Sequence, residues 1–190
     1  RDEGEMRDML YTMLEHTGPA AMRYPRGNGV GVDITREPEL LEIGKGEILR
    51  DGGEVAIVAY GAMVHPSLEA AEQLAKERIE TTVVNARFVK PLDPLLLALA
   101  RTKRLIVTVE EAYLAGGFGS AVLELLEENG LQDKVRVVRM GVPDRLITHG
   151  DAKLLLAKYG LDADGIYSRV KESIEVLDDR RTKSRRGVVS

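Results

Sequence analysis

Between Met22 and Gly31 the chain reads M-R-Y-P-R-G-N-G-V-G, and the residue there best suited to chemistry is Arg26. A short apolar strand that runs into Pro25, an arginine and then glycines exposes backbone amides and lets the chain approach a ligand closely. A guanidinium at that point suits a phosphate or a carboxylate, because its planar fork bonds two oxygens at once. On residue type alone the plainer alternative holds its ground, since most loop arginines are solvated or make ordinary salt bridges.

Two further groups of residues carry weaker signals. Glu110-Glu111 falls at the carboxyl end of an apolar run, followed by G-G-F-G-S at a helix start. Open α/β sheets bind ligands at that end, and helix N-termini attract anions. Two carboxylates would repel a phosphate there, however, and the glycines match neither the dinucleotide nor the P-loop spacing. The plainer reading has the acids cap a helix or pair across an interface while the glycines make a tight turn. His16, His65 and His149 are scattered without metal-ligand spacing, and each is as well explained by capping or packing. No G-x-S-x-G elbow occurs and the chain has no Cys, so nucleophilic triads and thiolate sites are excluded. No catalytic, cofactor-binding or metal-binding residue is assigned on these grounds.

The elements that must position Arg26 come in two parts. An opening helix carries acids in its first turn and Met6, Met9, Leu10, Met13 and Leu14 along one face; a short strand over 20–24 follows. One helix and one strand cannot bury a core, so residues 1–35 read as the tail of an incomplete domain, and 36–43 as a linker. The apolar face, left without cover, predicts association of copies through this helix. From residue 44 to 177 strands and helices alternate, which predicts a three-layer α/β/α domain with a mostly parallel five-stranded sheet. Glu47–Arg50 is expected as an antiparallel edge strand, joined to the next strand as a hairpin through Asp51-Gly52-Gly53. Asp93 is expected to cap a helix with Pro94 at its first position. The basic stretch over 178–190 lacks an apolar period and reads as a disordered tail.

The 190 residues are 44% hydrophobic and 31% charged with a net charge of −4, which is globular and argues against nucleic-acid or membrane-surface binding. No apolar run approaches a membrane span. The absence of Cys fits a cytoplasmic protein. The opening R-D-E-G-E-M-R-D lacks an initiating Met and reads as an internal cut in a longer chain.

The wording as a whole resembles the 1-deoxy-D-xylulose-5-phosphate synthase family. The carriers are M-R-D-M-L-Y-T-M-L, R-Y-P-R-G-N-G-V-G-V, N-A-R-F-V-K-P-L-D, V-T-V-E-E-A-Y-L-A-G-G-F-G-S-A-V-L-E and G-V-P-D-R-L-I-T-H-G. The resemblance spans Asp2 to Leu177. It implies the family's carboxy-terminal third: the end of the pyrimidine-binding domain, then a transketolase-type C-terminal domain. It implies a homodimeric parent that condenses pyruvate with D-glyceraldehyde 3-phosphate, releasing CO₂, on thiamine diphosphate and Mg²⁺, for isoprenoid, thiamine and pyridoxal synthesis. The family's substrate-phosphate arginine lands on Arg26, with Arg23 as the rival in the same motif. The family's metal and diphosphate motif and its activating glutamate are absent, so this stretch alone is expected to bind no cofactor and to be inactive. Two rivals remain: the β subunit of a thiamine-dependent 2-oxoacid dehydrogenase, and a non-catalytic interaction domain.

Overall fold

The computed structural model describes residues 1–186. Five strands form one sheet: β1 (Glu47–Arg50), β2 (Val55–Tyr60), β3 (Thr81–Asn85), β4 (Leu105–Tyr113) and β5 (Arg136–Val142), in the order β1-β3-β2-β4-β5. Strands β2 to β5 run parallel, and β1 is antiparallel to β3 at the edge. The helices are α1 (Glu3–Glu15), α2 (Val64–Lys76), α3 (Leu95–Thr102), α4 (Phe118–Glu128), α5 (Ala152–Lys158) and α6 (Ala163–Arg186).

Side-chain alternation along β2 divides the core into two halves. Val55, Ile57 and Ala59 pack with Val64 and Leu74 of α2 and with Ile166 and Val170 of α6. Ala56 and Val58 face the other way, toward Leu96 and Leu99 of α3 and Phe118, Val122 and Leu126 of α4. Both faces of the sheet are therefore covered, which explains why β2 and β3 are apolar or buried throughout rather than alternating. Neither half of the core contains a residue of α1. The Asp93 carboxylate accepts from the Leu95 amide at 2.8 Å just behind Pro94, and from the Gly46 amide at 2.8 Å. It thus caps α3 and pins the start of β1 together.

The chain passes from β2 to β3 on one side, then crosses back over β2 to β4 on the other. The strand order therefore reverses at β2, and the carboxyl ends of β2 and β4 border the crevice where such sheets take ligands.

Three local expectations are corrected. Residues 20–24 form no strand: among the described residues nothing pairs with their backbone as a ladder, and all but the half-buried Met22 are exposed. The segment Asp51-Gly52-Gly53 is not a hairpin turn: β1 pairs with β3, which lies between it and β2. Neither glycine has the positive φ that tight hairpin turns require. Gly52 instead crosses so close to the Thr81 backbone that a Cβ would overlap it, while the Gly53 amide donates to the Glu80 carbonyl at 2.9 Å. Finally, α6 continues past Asp178 to Arg186, where an irregular tail was expected, with Arg104 bonded to the Asp178 carboxylate. Residues 187–190 of that expected tail lie outside the described residues.

Close packing rather than turn geometry makes Gly52 necessary. Gly52→Ala is expected to cost about 1–3 kcal/mol in urea denaturation, as overpacking does. A Cβ on Gly53 would stand 3.3 Å from the Glu80 carbonyl oxygen, so Gly53→Ala is expected to cost less. Equal losses would contradict the crossing geometry.

Candidate functional site

Asp2 starts α1, its carboxylate accepting from the Glu5 amide at 2.9 Å. The helix then turns its polar side inward. Gly4, Glu5, Asp8 and Thr12 are buried, whereas Met6, Leu10 and Leu14 are 39%, 49% and 75% exposed. Glu5 fastens α1 to the sheet. Its Oε1 accepts from Asn85 Nδ2 at 2.6 Å and from Arg87 Nε at 2.8 Å. Arg87, held at φ 55 in the left-handed region, also reaches Glu47 of β1 at 2.6 Å.

The rest of the polar side holds residues 30–41, which travel alongside α1 in the same direction. The Glu3 carboxylate accepts from the amides of Val30 at 3.0 Å, Gly31 at 2.5 Å and Val32 at 3.0 Å. Arg7 donates to the carbonyls of Ile34 and Arg36. The Asp8 carboxylate takes the Arg36 guanidinium and, at 2.9 Å, the Glu39 amide. Thr12 Oγ1 accepts from the Leu41 amide at 2.9 Å. Burial pushes the Asp8 carboxyl up, but Arg36 and the Glu39 amide more than offset this and hold it below the usual aspartate value. The Glu3 carboxyl is lowered too, foremost by its own amide and then by those of the held segment.

Arg26 lies on the approach to this strap. It is exposed and, among the described residues, has no hydrogen-bond or salt-bridge partner. Arg23, its rival, is engaged: its guanidinium donates to the Glu111 carbonyl at the end of β4. The Arg23 charge also reaches Tyr60 at the end of β2. Burial pushes the Tyr60 hydroxyl up and Glu110 adds to the rise, while Arg23 pulls it back. The R-Y-P-R-G segment therefore docks at the carboxyl ends of β2 and β4, the strands bordering the crevice.

A known family accounts for the sheet domain. Residues 44–166 match the model of the transketolase C-terminal domain. The chain belongs to that family. It is similar to a 1-deoxy-D-xylulose-5-phosphate synthase of Geobacter metallireducens, 55% identical over 90% of this chain and 27% of that protein. It is also similar to one of Synechococcus, 50% identical over 100% of this chain and 29% of that protein. The chain thus spans less than a third of the length of these relatives. Among solved structures, an inactive β4 tetramer of a split-gene transketolase superposes with TM-score 0.78 and 36% identity, covering 90% of this chain and 55% of that one. A transketolase mutant from Pichia stipitis, 17% identical at TM-score 0.53 over 72% of this chain and 19% of that one, shares the fold.

Within this transketolase-type domain the two glutamates divide their work. Glu110 is 1% exposed, and its two oxygens accept from the amides of Phe118 at 2.7 Å and Gly119 at 2.8 Å. It caps α4 from the neighbouring strand, a negative group against a helix N-terminus. A Cβ on Gly117 would overlap that carboxylate and the Tyr113 carbonyl, so the glycine leaves room for the acid. The adjoining turn is closed by Arg139, which donates to the Leu114 carbonyl and to Ser120 Oγ, both at 2.8 Å. Phe118 then stacks on Tyr60 at 5.6 Å between centroids. Glu111 contributes its backbone carbonyl to Arg23.

The histidines do not converge. His16 ends α1 through its amide, His65 lies in the first turn of α2 with a buried Nε2 that has no hydrogen-bond partner, and His149 is exposed in a loop. The residues that sequence reasoning missed are Glu3, Arg7, Asp8 and Thr12. Their signal is the polar residue at each turn of α1 opposite the apolar face.

Removing the Glu110 carboxylate orphans two buried amides, at about 1–3 kcal/mol each. Glu110→Ala is therefore expected to lower stability strongly in urea denaturation. Glu110→Gln keeps one acceptor oxygen and is expected to lose about half as much. A Glu110→Ala protein as stable as the parent would contradict the cap.

Proposed function

We propose that this chain is the carboxy-terminal part of a 1-deoxy-D-xylulose-5-phosphate synthase, and that Arg26 binds the phosphate of its acceptor, D-glyceraldehyde 3-phosphate. The whole protein condenses that aldehyde with pyruvate, with loss of CO₂, as a cytoplasmic homodimer. Residues 1–35 are the end of its pyrimidine-binding domain and 36–43 the connection to the transketolase-type domain over 44–177. The observation that carries this reading is the contrast between the two arginines of R-Y-P-R-G. Arg23 is spent on docking the segment beside the crevice, while the Arg26 guanidinium is left without an internal partner.

Thiamine diphosphate and Mg²⁺, which supply the decarboxylating chemistry in this family, do not fit the residues present. Among the described residues no three His, Asp or Glu side chains gather as a metal site. Both oxygens of the buried Glu110 are already taken by amides. We assign the cofactor, and the pyruvate that reacts on it, to residues outside this chain, and expect the chain alone to be inactive.

In the full-length protein, Arg26→Ala is expected to raise the barrier for the phosphorylated acceptor by about 2–5 kcal/mol, the usual loss when a closed-site charge loses its partner. Arg26→Lys is expected to restore only part, since a point charge cannot reproduce the two-pronged bond. For an uncharged aldehyde acceptor, kcat/KM is expected to change little. Equal losses with phosphorylated and unphosphorylated acceptors would make Arg26 structural and refute the assignment.

A further inference from the structure

Arg26 sits in a segment fastened at both ends. On one side Arg23 holds the Glu111 carbonyl. On the other, three consecutive amides, those of Val30, Gly31 and Val32, converge on the single carboxylate of Glu3 at 2.5–3.0 Å. Successive amides that point to one centre form a concave nest for an anion, and Gly31, at φ 91, supplies the backbone turn that such a nest requires. Here the anion is internal. It belongs to the first turn of α1, which Glu5 in turn fixes to Asn85 and Arg87 of the sheet side.

We infer that Glu3 is the positioning residue of the Arg26 segment: its carboxylate, seated on the amides of Val30, Gly31 and Val32, sets where the Arg26 guanidinium meets the acceptor's phosphate. This rests on the assignment of Arg26 above. The nest is filled by Glu3, so the phosphate is held by the arginine rather than by the loop amides. A loop anchored on both sides of its working residue loses little freedom when the ligand arrives, so releasing one anchor weakens binding of that ligand.

Gly29 provides an independent handle. A Cβ there would stand 2.6–2.8 Å from the Glu3 carboxyl group. That group is the far end of a flexible side chain. Gly29→Ala therefore displaces the carboxylate from its nest while leaving Glu3, Arg26 and the fold in place.

The test uses the full-length protein with Glu3→Ala, Glu3→Gln and Gly29→Ala, each with and without Arg26→Ala. Hydrogen exchange of the Val30, Gly31 and Val32 amides is expected to quicken about tenfold or more in Glu3→Ala and Gly29→Ala, as charge-assisted bonds are lost. KM for the phosphorylated acceptor is expected to rise about tenfold with kcat within about twofold, consistent with a misplaced binding group. Glu3→Gln should fall between. The selectivity for phosphorylated over unphosphorylated acceptor should drop in parallel, and none of the three substitutions should lower it further once Arg26 is alanine. Unchanged exchange would remove the clamp. Faster exchange with unaltered KM would remove its positioning role while leaving Arg26 as the phosphate ligand. Loss of both acceptors equally in Arg26→Ala alone would overturn the Arg26 assignment, and the role of Glu3 with it.

Discussion

Everything around Arg26 depends on the polar side of one short helix. Most amphipathic helices bury their apolar stripe, and α1 does the reverse within this chain. Its buried residues are a glycine, two carboxylates and a threonine, and its methionines and leucines face outward or lie at the margin. Burying carboxylates is unfavourable unless each finds donors. Here every one does: Glu5 takes Asn85 and Arg87, and Asp8 takes Arg36 and a backbone amide. With Glu3 at the flank, the helix becomes a rail along which residues 30–41 are fastened, and the arginine-bearing segment enters that rail from the carboxyl end of β4.

The sheet supplies the other half of the arrangement. Its order reverses at β2, so the carboxyl ends of β2 and β4 lie at the position where such sheets take ligands. The acid at that position, Glu110, could have served a ligand. It is instead consumed by the amides that open α4, and the glycines around it are small because the carboxylate needs their space. An apparent chemical motif is thus a folding device.

The sheet domain was legible in the sequence because its signals are local and mutually consistent. The unbroken apolar run V-A-I-V-A-Y marked β2 as a doubly covered strand, and Asp93-Pro94 marked the start of α3. The edge position and direction of β1 followed as well, but its partner did not. Asp51-Gly52-Gly53 has the composition of a hairpin, and only the insertion of β3 between the two strands reveals that Gly52 serves a close crossing. The strap over 30–41 was illegible for a different reason. Its order comes from side chains of α1 that meet backbone amides about 30 residues away, and backbone donors leave no trace in a residue pattern. Arg26 was singled out in the sequence through the resemblance of its motif. Strand alternation and the Pro-Gly break favoured Arg26 over Arg23 in the sequence; what needed the structure is that Arg23 is engaged by the Glu111 carbonyl.

The measurement that bears most directly on the central claim is a crystal structure of the full-length protein with a phosphorylated acceptor bound. The account predicts the Arg26 guanidinium on the phosphate, Arg23 still on the Glu111 carbonyl, and the amides of Val30, Gly31 and Val32 still on the Glu3 carboxylate. A phosphate held by Arg23, or one seated on those three amides with Glu3 expelled, would contradict it.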